Sequence, residues 1–290
     1  MRLVIVTLML ATFAAGPSLA RPKLVPLPEA TATTLPGKTL AVTRRGVKPS
    51  FIAMTAGKAT FALLGVAAMA SEGNRMVKDN DIADPADTVE AVLVPALVKQ
   101  YGVKPAPESG HSIAPGNDLK QIIGAAPGAD LILDIRSIGW NFAYYPTHWG
   151  TYWVGYGVEV QLIDTKSATV LASAPCSSNT QKNAAPPSKE ALVGNGAQLL
   201  KDVLLSLGWN CSRLLASDEF HVVPANLAEM PSSLADPLAA FAAQAHGQGP
   251  TPSARPTATP AAPAATATPT GTETPADPAT HADPVTPADH

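Results

Sequence analysis

The sequence contains little that would carry catalysis. It has no HExxH zinc motif, no GxSxG nucleophile elbow, no glycine-rich phosphate loop and no acidic calcium loop. Its six histidines are scattered, and no two of them have the spacing of metal ligands. We therefore predict no catalytic residue, no cofactor and no metal site, and we expect a protein that is not an enzyme.

An excess of charge of either sign is also missing. The chain has 20 Lys and Arg residues against 23 Asp and Glu residues, so its formal net charge is −3. A domain that binds nucleic acid usually carries a marked basic excess. The charge balance therefore argues against nucleic acid as a partner.

The N-terminus has the pattern of a cleavable secretory signal. Arg2 precedes a mostly apolar run over residues 3–15 and a small-residue site over residues 16–20. A retained membrane anchor is the alternative, but an anchor needs about 18 or more apolar residues. We expect cleavage after Ala20. Because no Cys follows this site for lipidation, the mature chain is predicted to be periplasmic or secreted.

Cysteine is scarce, since Cys176 and Cys211 are the only two in the chain. In an oxidising compartment such a pair is most simply a disulfide. A reactive thiol is the alternative, but neither residue lies in a CxxC motif or beside a polarising group. The chain-entropy model assigns a bond of this loop length about 3–4 kcal/mol of stabilisation.

Composition divides the chain into segments. The prolines before residue 37 indicate an extended linker, and the Pro, Thr and Ala residues after 247 indicate a disordered tail. The predicted segments are a signal peptide at 1–20, a Pro-rich linker at 21–36, a single α+β domain at 37–225, an Ala-rich short helix at 226–247 and the tail at 248–290.

Hydrophobic periodicity predicts an α+β fold for the central domain. The predicted elements are a strand at 38–44, helices at 54–77, 84–101 and 117–124, strands at 131–144, 152–162 and 169–173, and a helix at 188–207. Without the short third helix the order is β-α-α-β-β-β-α. We expect an antiparallel sheet of three to four strands, mainly a meander, packed by helices.

Aromatic residues are concentrated in one short segment. Between residues 140 and 156 lie eight aromatic side chains, from a chain with four Trp, five Tyr and six Phe. One interpretation is cross-strand aromatic pairing that stabilises a hairpin. The other is a contact surface for an envelope protein, a glycan or a bilayer interface. The candidate binding surface consists of Trp140, Tyr144, Tyr145, Trp149, Tyr152 and Trp153.

The helix predicted at 54–77 contains a short apolar segment, Ala59–Ala70. At 12 residues this segment is too short to span a bilayer. Small residues in and just before this segment, including Gly57, Gly65 and Ala68, permit close approach of another helix. A buried core helix is one interpretation, and a face for homo-oligomers or peripheral membrane contact is the other.

Two segments resemble a recurring pattern in envelope proteins. Residues 129–134 read ADLILD, and after a long hairpin residues 160–171 read VQLIDTKSATVL. This layout resembles the curli-secretion (CsgG-like) lipoproteins and the penicillin-binding-protein activator lipoproteins. The chain departs from them because it lacks the lipidated Cys and has its own cysteine pair and tail. The resemblance therefore implies an envelope fold, and it does not carry over pore formation or enzyme activation.

These observations favour a non-enzymatic exported protein of the cell envelope, a binding or assembly module that uses the aromatic hairpin. An outer-membrane-associated oligomeric secretion or assembly component is the first alternative. A hydrolase acting on the wall or on glycans is the second.

Overall fold

The structure is a computed structural model that describes residues 24–59, 62–107 and 110–247. The predicted signal peptide and the predicted tail lie outside these residues. The helices are α1 (Glu29–Ala32), α2 (Ala56–Ala59), α3 (Ala62–Asp79), α4 (Ala86–Tyr101), α5 (Leu119–Ala125), α6 (Lys189–Leu214), α7 (Ser232–Ala235) and α8 (Pro237–Gly247). The strands are β1 (Thr39–Arg45), β2 (Phe51–Met54), β3 (Lys104–Pro105), β4 (Ser112–Ala114), β5 (Leu131–Tyr145), β6 (His148–Asp164) and β7 (Thr169–Asn179).

The sheet is mixed, so the expectation of an antiparallel sheet of three to four strands is wrong. Its main order is β3-β1-β5-β6-β7, with β2 also paired to β5 and β4 to β1. The β5-β6-β7 part is the expected antiparallel meander. By contrast, β1 and β2 run parallel to β5 because the chain crosses over through α3 and α4 before it returns to the sheet.

Helices cover one face of the sheet and create the main core. On β5, Leu131, Leu133 and Ile135 point to this side and are fully buried. Helices α4 and α6 contact each other and this side of the sheet. On the opposite face, Ile132 joins a smaller apolar cluster beneath α5. The strand β5 is therefore central, with apolar residues on both faces.

The helix α4 continues through Pro95, although a proline inside a helix removes one backbone hydrogen bond. Pro95 therefore does not end the helix. The helix instead ends at Gly102, which has a positive φ of 63° and donates its N–H to the Val98 carbonyl. At the other end, the Asp84 carboxylate accepts a hydrogen bond from the Ala86 N–H, as expected for a capping side chain.

The predicted disulfide is confirmed. Cys176 near the end of β7 is bonded to Cys211 of α6, and the two Cα atoms are 5.6 Å apart. Ser188, the first residue of the predicted helix, caps α6 by accepting a hydrogen bond from the Ala191 N–H. The predicted helix end at residue 207 is wrong, because α6 continues to Leu214 and Cys211 lies inside it.

The segment before β1 is part of the folded domain, which corrects the expected linker over its described residues 24–36. Leu27 and Leu35 are each about 1% exposed. The backbone of Val25 exchanges two hydrogen bonds with Ser173 on the outer edge of β7. At the other end of the domain, Leu238 of α8 also joins the main core. Buried leucines thus anchor both flanking segments, in spite of their prolines.

An ion pair fixes the turn between β6 and β7. The Lys38 ammonium lies 2.8 Å from a carboxylate oxygen of Asp164, whose other oxygen accepts hydrogen bonds from Ser167. These interactions, with Lys38 contributing most, lower the pKa of Asp164 to about 2. The ion pair therefore stabilises the fold above the ordinary carboxyl pKa, and its contribution is lost as the pH falls through about 2.

We predict a pH-dependent cost for Lys38→Met. The variant should unfold at lower urea concentration than the wild type at pH 7, and the difference should shrink between about pH 4 and pH 2. Urea titrations across this range measure it. Lys166→Met is the matched control, since Lys166 is exposed on the same turn and makes no ion pair among the described residues. A Lys38→Met deficit that does not change with pH would contradict the prediction.

Candidate functional site

The candidate site is the distal part of the β5–β6 hairpin. The two strands have 15 and 17 residues. On the helix-covered face, Trp140 is opposite Tyr156, and Tyr144 is opposite Tyr152. The cross-strand aromatic pairing of the first interpretation is therefore present, and the two strands are paired antiparallel up to Tyr145 and His148, with register shifts at Ser137/Gly139 and Tyr144/Tyr145.

Two residues of the predicted contact surface are core residues. Trp140 is 3% exposed, Tyr152 is 7% exposed, and both belong to the main core. The rings form a series of edge-to-face contacts, Trp140 with Phe51 at 5.4 Å, Phe51 with Phe142 at 5.8 Å, and Phe142 with Tyr152 at 5.5 Å. Because both side chains are buried in the main core, and the Trp140 indole N–H donates to the Pro49 carbonyl just before β2, Trp140 and Tyr152 stabilise the hairpin and are not available to a partner.

The two adjacent tyrosines are half-buried. Tyr144 packs against the main core. The Tyr145 hydroxyl lies 3.0 Å from the Gln181 carbonyl and 3.3 Å from the Thr180 carbonyl, to which it can donate. Burial raises the pKa of Tyr145. These contacts hold the tip of the hairpin against the loop that follows β7.

Trp149 is the exposed residue of the predicted set. It is 69% exposed, and its indole Nε1–H donates a hydrogen bond of 2.8 Å to the Pro146 carbonyl. The Thr151 hydroxyl donates to the His148 carbonyl in the same turn. The polar atom of the indole is thus satisfied within the turn, and the apolar ring is presented to solvent in a fixed position.

Trp153 lies half-buried on the opposite face of the hairpin from the main core. A Cβ atom at Gly155 would come within 2.8 Å of the Trp153 ring and within 2.9 Å of the Asn141 side-chain oxygen. The ring therefore covers the bare backbone of Gly155. Of the six predicted surface residues, Trp149 is accessible, Tyr144, Tyr145 and Trp153 are partly accessible, and Trp140 and Tyr152 are buried.

The distal hairpin has no Asp, Glu, Lys or Arg from Ile138 to Val158. Charged pairs begin immediately below it, where Arg136 is opposite Glu159 and forms an ion pair with it. Asp134 is opposite Gln161, and its carboxylate accepts hydrogen bonds of 2.5 and 2.9 Å from Arg45 of β1. The hairpin is therefore held by polar contacts at its base and presents an uncharged surface at its tip.

A second polar cluster lies between β1, β5 and α4, and the sequence does not predict it. Arg44 of β1 is 5% exposed, and its guanidinium contacts Asp87 at 2.9 Å and Glu90 at 3.2 Å on α4. Next to it, the Ser137 hydroxyl donates to Asp84 and lies 3.2 Å from the Tyr156 hydroxyl. Burial raises the pKa of Tyr156. These residues come from distant segments, so no local motif indicates the cluster.

Within the described ranges, no group of three or more His, Cys, Asp and Glu side chains is placed to hold a metal ion. Nor does any helix in this part of the chain combine the length and the apolar character needed to cross a bilayer.

No family model matches the sequence, and no curated protein matches it. Among solved structures, the chain is similar to bacterial proteins that include a lipoprotein. The PelC dodecamer from Paraburkholderia phytofirmans is 14% identical, over 69% of this chain and 95% of that chain, with a TM-score of 0.28. Lipoprotein GNA1162 from Neisseria meningitidis is 16% identical, over 52% and 88% of the two chains, with a TM-score of 0.20. The LpoB C-terminal domain from Escherichia coli is 17% identical, over 50% and 84%, with a TM-score of 0.16.

The expected likeness to the curli-secretion and penicillin-binding-protein activator lipoproteins stays a prediction, since these matches have TM-scores of 0.28 or less. TM-scores below 0.3 do not establish a common fold. The role of this chain has to be inferred from its own residues.

Proposed function

We propose that the protein is a non-enzymatic binding module of the cell envelope, and that the tip of the β5–β6 hairpin binds a partner protein. The observation that carries the proposal is Trp149, which is 69% exposed at the start of β6 and is held to the turn by its hydrogen bond to the Pro146 carbonyl. Tryptophan is among the residues that contribute most to protein interfaces when it enters a pocket on the partner.

The shape of the tip favours a protein over a small ligand or a glycan. Small-molecule sites are typically concave, whereas Trp149 lies at the start of β6, next to the turn at the protruding end of the ribbon. An aromatic side chain that protrudes from the surface is suited to insertion into a pocket of a partner protein. Tyr145 and Trp153, both half-buried, supply further aromatic surface beside it.

Rigidity of the hairpin supports this role. The core aromatic contacts fix its helix-facing side, and the Tyr145 hydroxyl and the Cys176–Cys211 bond support the adjacent strand and loop. A contact residue that is already fixed before binding loses little conformational entropy when it binds. The hairpin is thus preorganised for recognition.

The disulfide and the predicted export signal support an oxidising compartment outside the cytoplasm. The uncharged tip indicates the chemistry of the contact, because the hairpin between Ile138 and Val158 has no acidic or basic residue other than His148. Apolar and aromatic contacts, with few ion pairs, should dominate binding. Affinity should then depend little on ionic strength.

We predict that Trp149→Ala weakens partner binding by about thirtyfold or more, since truncation of a central interface tryptophan costs about 2 kcal/mol or more. The full chain would be used to capture its partner from the envelope fraction of the source cells, and the purified partner would be titrated at 50 and 500 mM salt. The thermal midpoint of the variant should match the wild type, because Trp149 contributes little to the core.

Phe241→Ala is the matched control, since Phe241 is an aromatic residue on α8, 36% exposed and remote in sequence from the hairpin. It should leave capture unchanged. Capture that survives protease treatment of the extract would identify a glycan, and capture by protein-free lipid vesicles would identify a bilayer. Either result, or equal binding by Trp149→Ala and the wild type, would overturn the proposal.

A further inference from the structure

A cavity of about 540 Å³ lies at the edge of β1, away from the hairpin residues. Helix α4 forms one wall, and the segments around β3, β4 and the loop after α5 form the others. The two short strands pair with different parts of β1, at Thr39–Leu40 and at Thr43–Arg45. The cavity opens between them, and its volume is in the range of small-molecule sites, about 300–1,000 Å³.

Most of the cavity wall is apolar. The apolar lining includes Val42, Ala91, Val94, Pro105, Ala106 and Pro127. Gly110 and Gly128, with φ angles of 103° and 85°, also line it. Because these glycines have no side chain, the backbone at those points is accessible to a ligand. The wall therefore suits a compact apolar group.

Pro95 adds a hydrogen-bond acceptor to this wall. Proline has no backbone N–H, so the carbonyl of Ala91, four residues earlier in α4, lacks its regular helical donor. Both residues line the cavity. A ligand that carries a donor can supply a hydrogen bond to this carbonyl in place of the missing helical one.

Glu90 adds a charged acceptor beside this carbonyl. Its Oε2 atom lies 3.2 Å from the Arg44 guanidinium and 3.1 Å from the His111 ring. Within the described residues its Oε1 atom has no hydrogen-bond partner. Arg44 also contacts Asp87 at 2.9 Å and Asp84 at 4.0 Å, so three carboxylates surround one guanidinium. The cluster carries an excess of negative charge and favours a cation.

We propose that this cavity binds a small molecule with an apolar body and a protonated amine. The apolar body occupies the space between Val42, Val94 and Pro105. The ammonium group donates hydrogen bonds to the Glu90 carboxylate and the Ala91 carbonyl. Burial of the apolar part supplies most of the affinity, and the charge at Glu90 selects the cation. This site is independent of the function proposed for the hairpin.

The test uses three isosteric probes with the full chain at pH 8, measured by calorimetry and by saturation-transfer NMR. We expect 4-phenylbutylamine to bind, neutral 4-phenylbutanol to bind at least about tenfold more weakly, and anionic 4-phenylbutyrate not to bind. A charged hydrogen bond of this kind contributes about 1.5–3 kcal/mol, which corresponds to roughly tenfold or more in affinity.

Two variants locate the binding. Glu90→Gln keeps the shape of the wall and should lower amine affinity about tenfold, to the level of the alcohol. Ala91→Phe fills the cavity and should abolish binding of all probes. Ala67→Phe is the matched control, because Ala67 is exposed on α3 and does not line the cavity, and it should bind as the wild type does. Equal binding of amine and carboxylate, or undiminished binding by a folded Ala91→Phe variant, would overturn the proposal.

Discussion

A variant with alanine at both Cys176 and Cys211 should unfold with a free energy about 3–4 kcal/mol below that of the wild type. The bond joins β7 to α6 across a sequence separation of 35 residues, and a cross-link of this length removes considerable entropy from the unfolded chain. Both cysteines are also buried, at 8% and 0% exposure. Their replacement by alanine therefore loses some apolar contact in addition.

Guanidinium titrations of the wild type, the double variant and the wild type with a reductant measure this effect. The reduced wild type should approach the double variant, because both lack the cross-link. The slope of unfolding free energy against denaturant should rise modestly without the bond, since the unfolded chain becomes less compact. A double variant within about 1 kcal/mol of the wild type would show that the bond is not a major stabilising element.

The meander and the long helices could be predicted from the sequence because their signals are local. Along β5 and β6, apolar residues alternate over many positions, and Ser188 has the chemistry of a helix cap. The disulfide was predictable for a different reason. With only two cysteines in the chain, only one intramolecular pairing exists.

The parallel part of the sheet was not predictable in the same way. The strands β2, β3 and β4 have four, two and three residues, which are too few to show alternation. They form because neighbouring strands offer free edges, as where Phe51 of β2 pairs with Trp140 of β5. Such pairing depends on tertiary structure, and local propensity does not encode it.

The candidate site was also predictable only where its signal is local. Composition alone locates the aromatic cluster, but the accessibility of each ring depends on what covers it. Trp140 and Trp149 lie nine residues apart and are 3% and 69% exposed, because the first is buried in the main core and the second lies next to the turn at the end of the hairpin. The cavity beside Glu90 leaves no sequence signal, since its walls come from segments between residues 39 and 129.

The second large effect is expected at Gly73 of α3. We expect Gly73→Ala to lower the free energy of unfolding by about 3 kcal/mol. A Cβ atom there would lie 1.9 Å from the carbonyl oxygen of Phe51 and 2.7 Å from its carbonyl carbon. Because the clash is with backbone, α3 and β2 must separate, which costs more than a side-chain adjustment. The separation would also disturb the hydrogen bond from the Phe51 N–H to Asn74.

The same substitution at Gly124 is the matched control. Gly124 lies in α5, and nothing lies within 4 Å of the position that its Cβ would take. Alanine is favoured over glycine inside a helix by about 0.5–1 kcal/mol, so Gly124→Ala should be slightly stabilising. Urea titrations of the two variants should therefore shift the unfolding midpoint in opposite directions. The edge-to-face contact between Phe51 and Trp140 links β2 to the base of the distal hairpin. On heating, Gly73→Ala should therefore lose its near-ultraviolet circular dichroism signal at a lower temperature than the wild type. A Gly73→Ala midpoint equal to or above that of Gly124→Ala would show that α3 and β2 are not in close backbone contact.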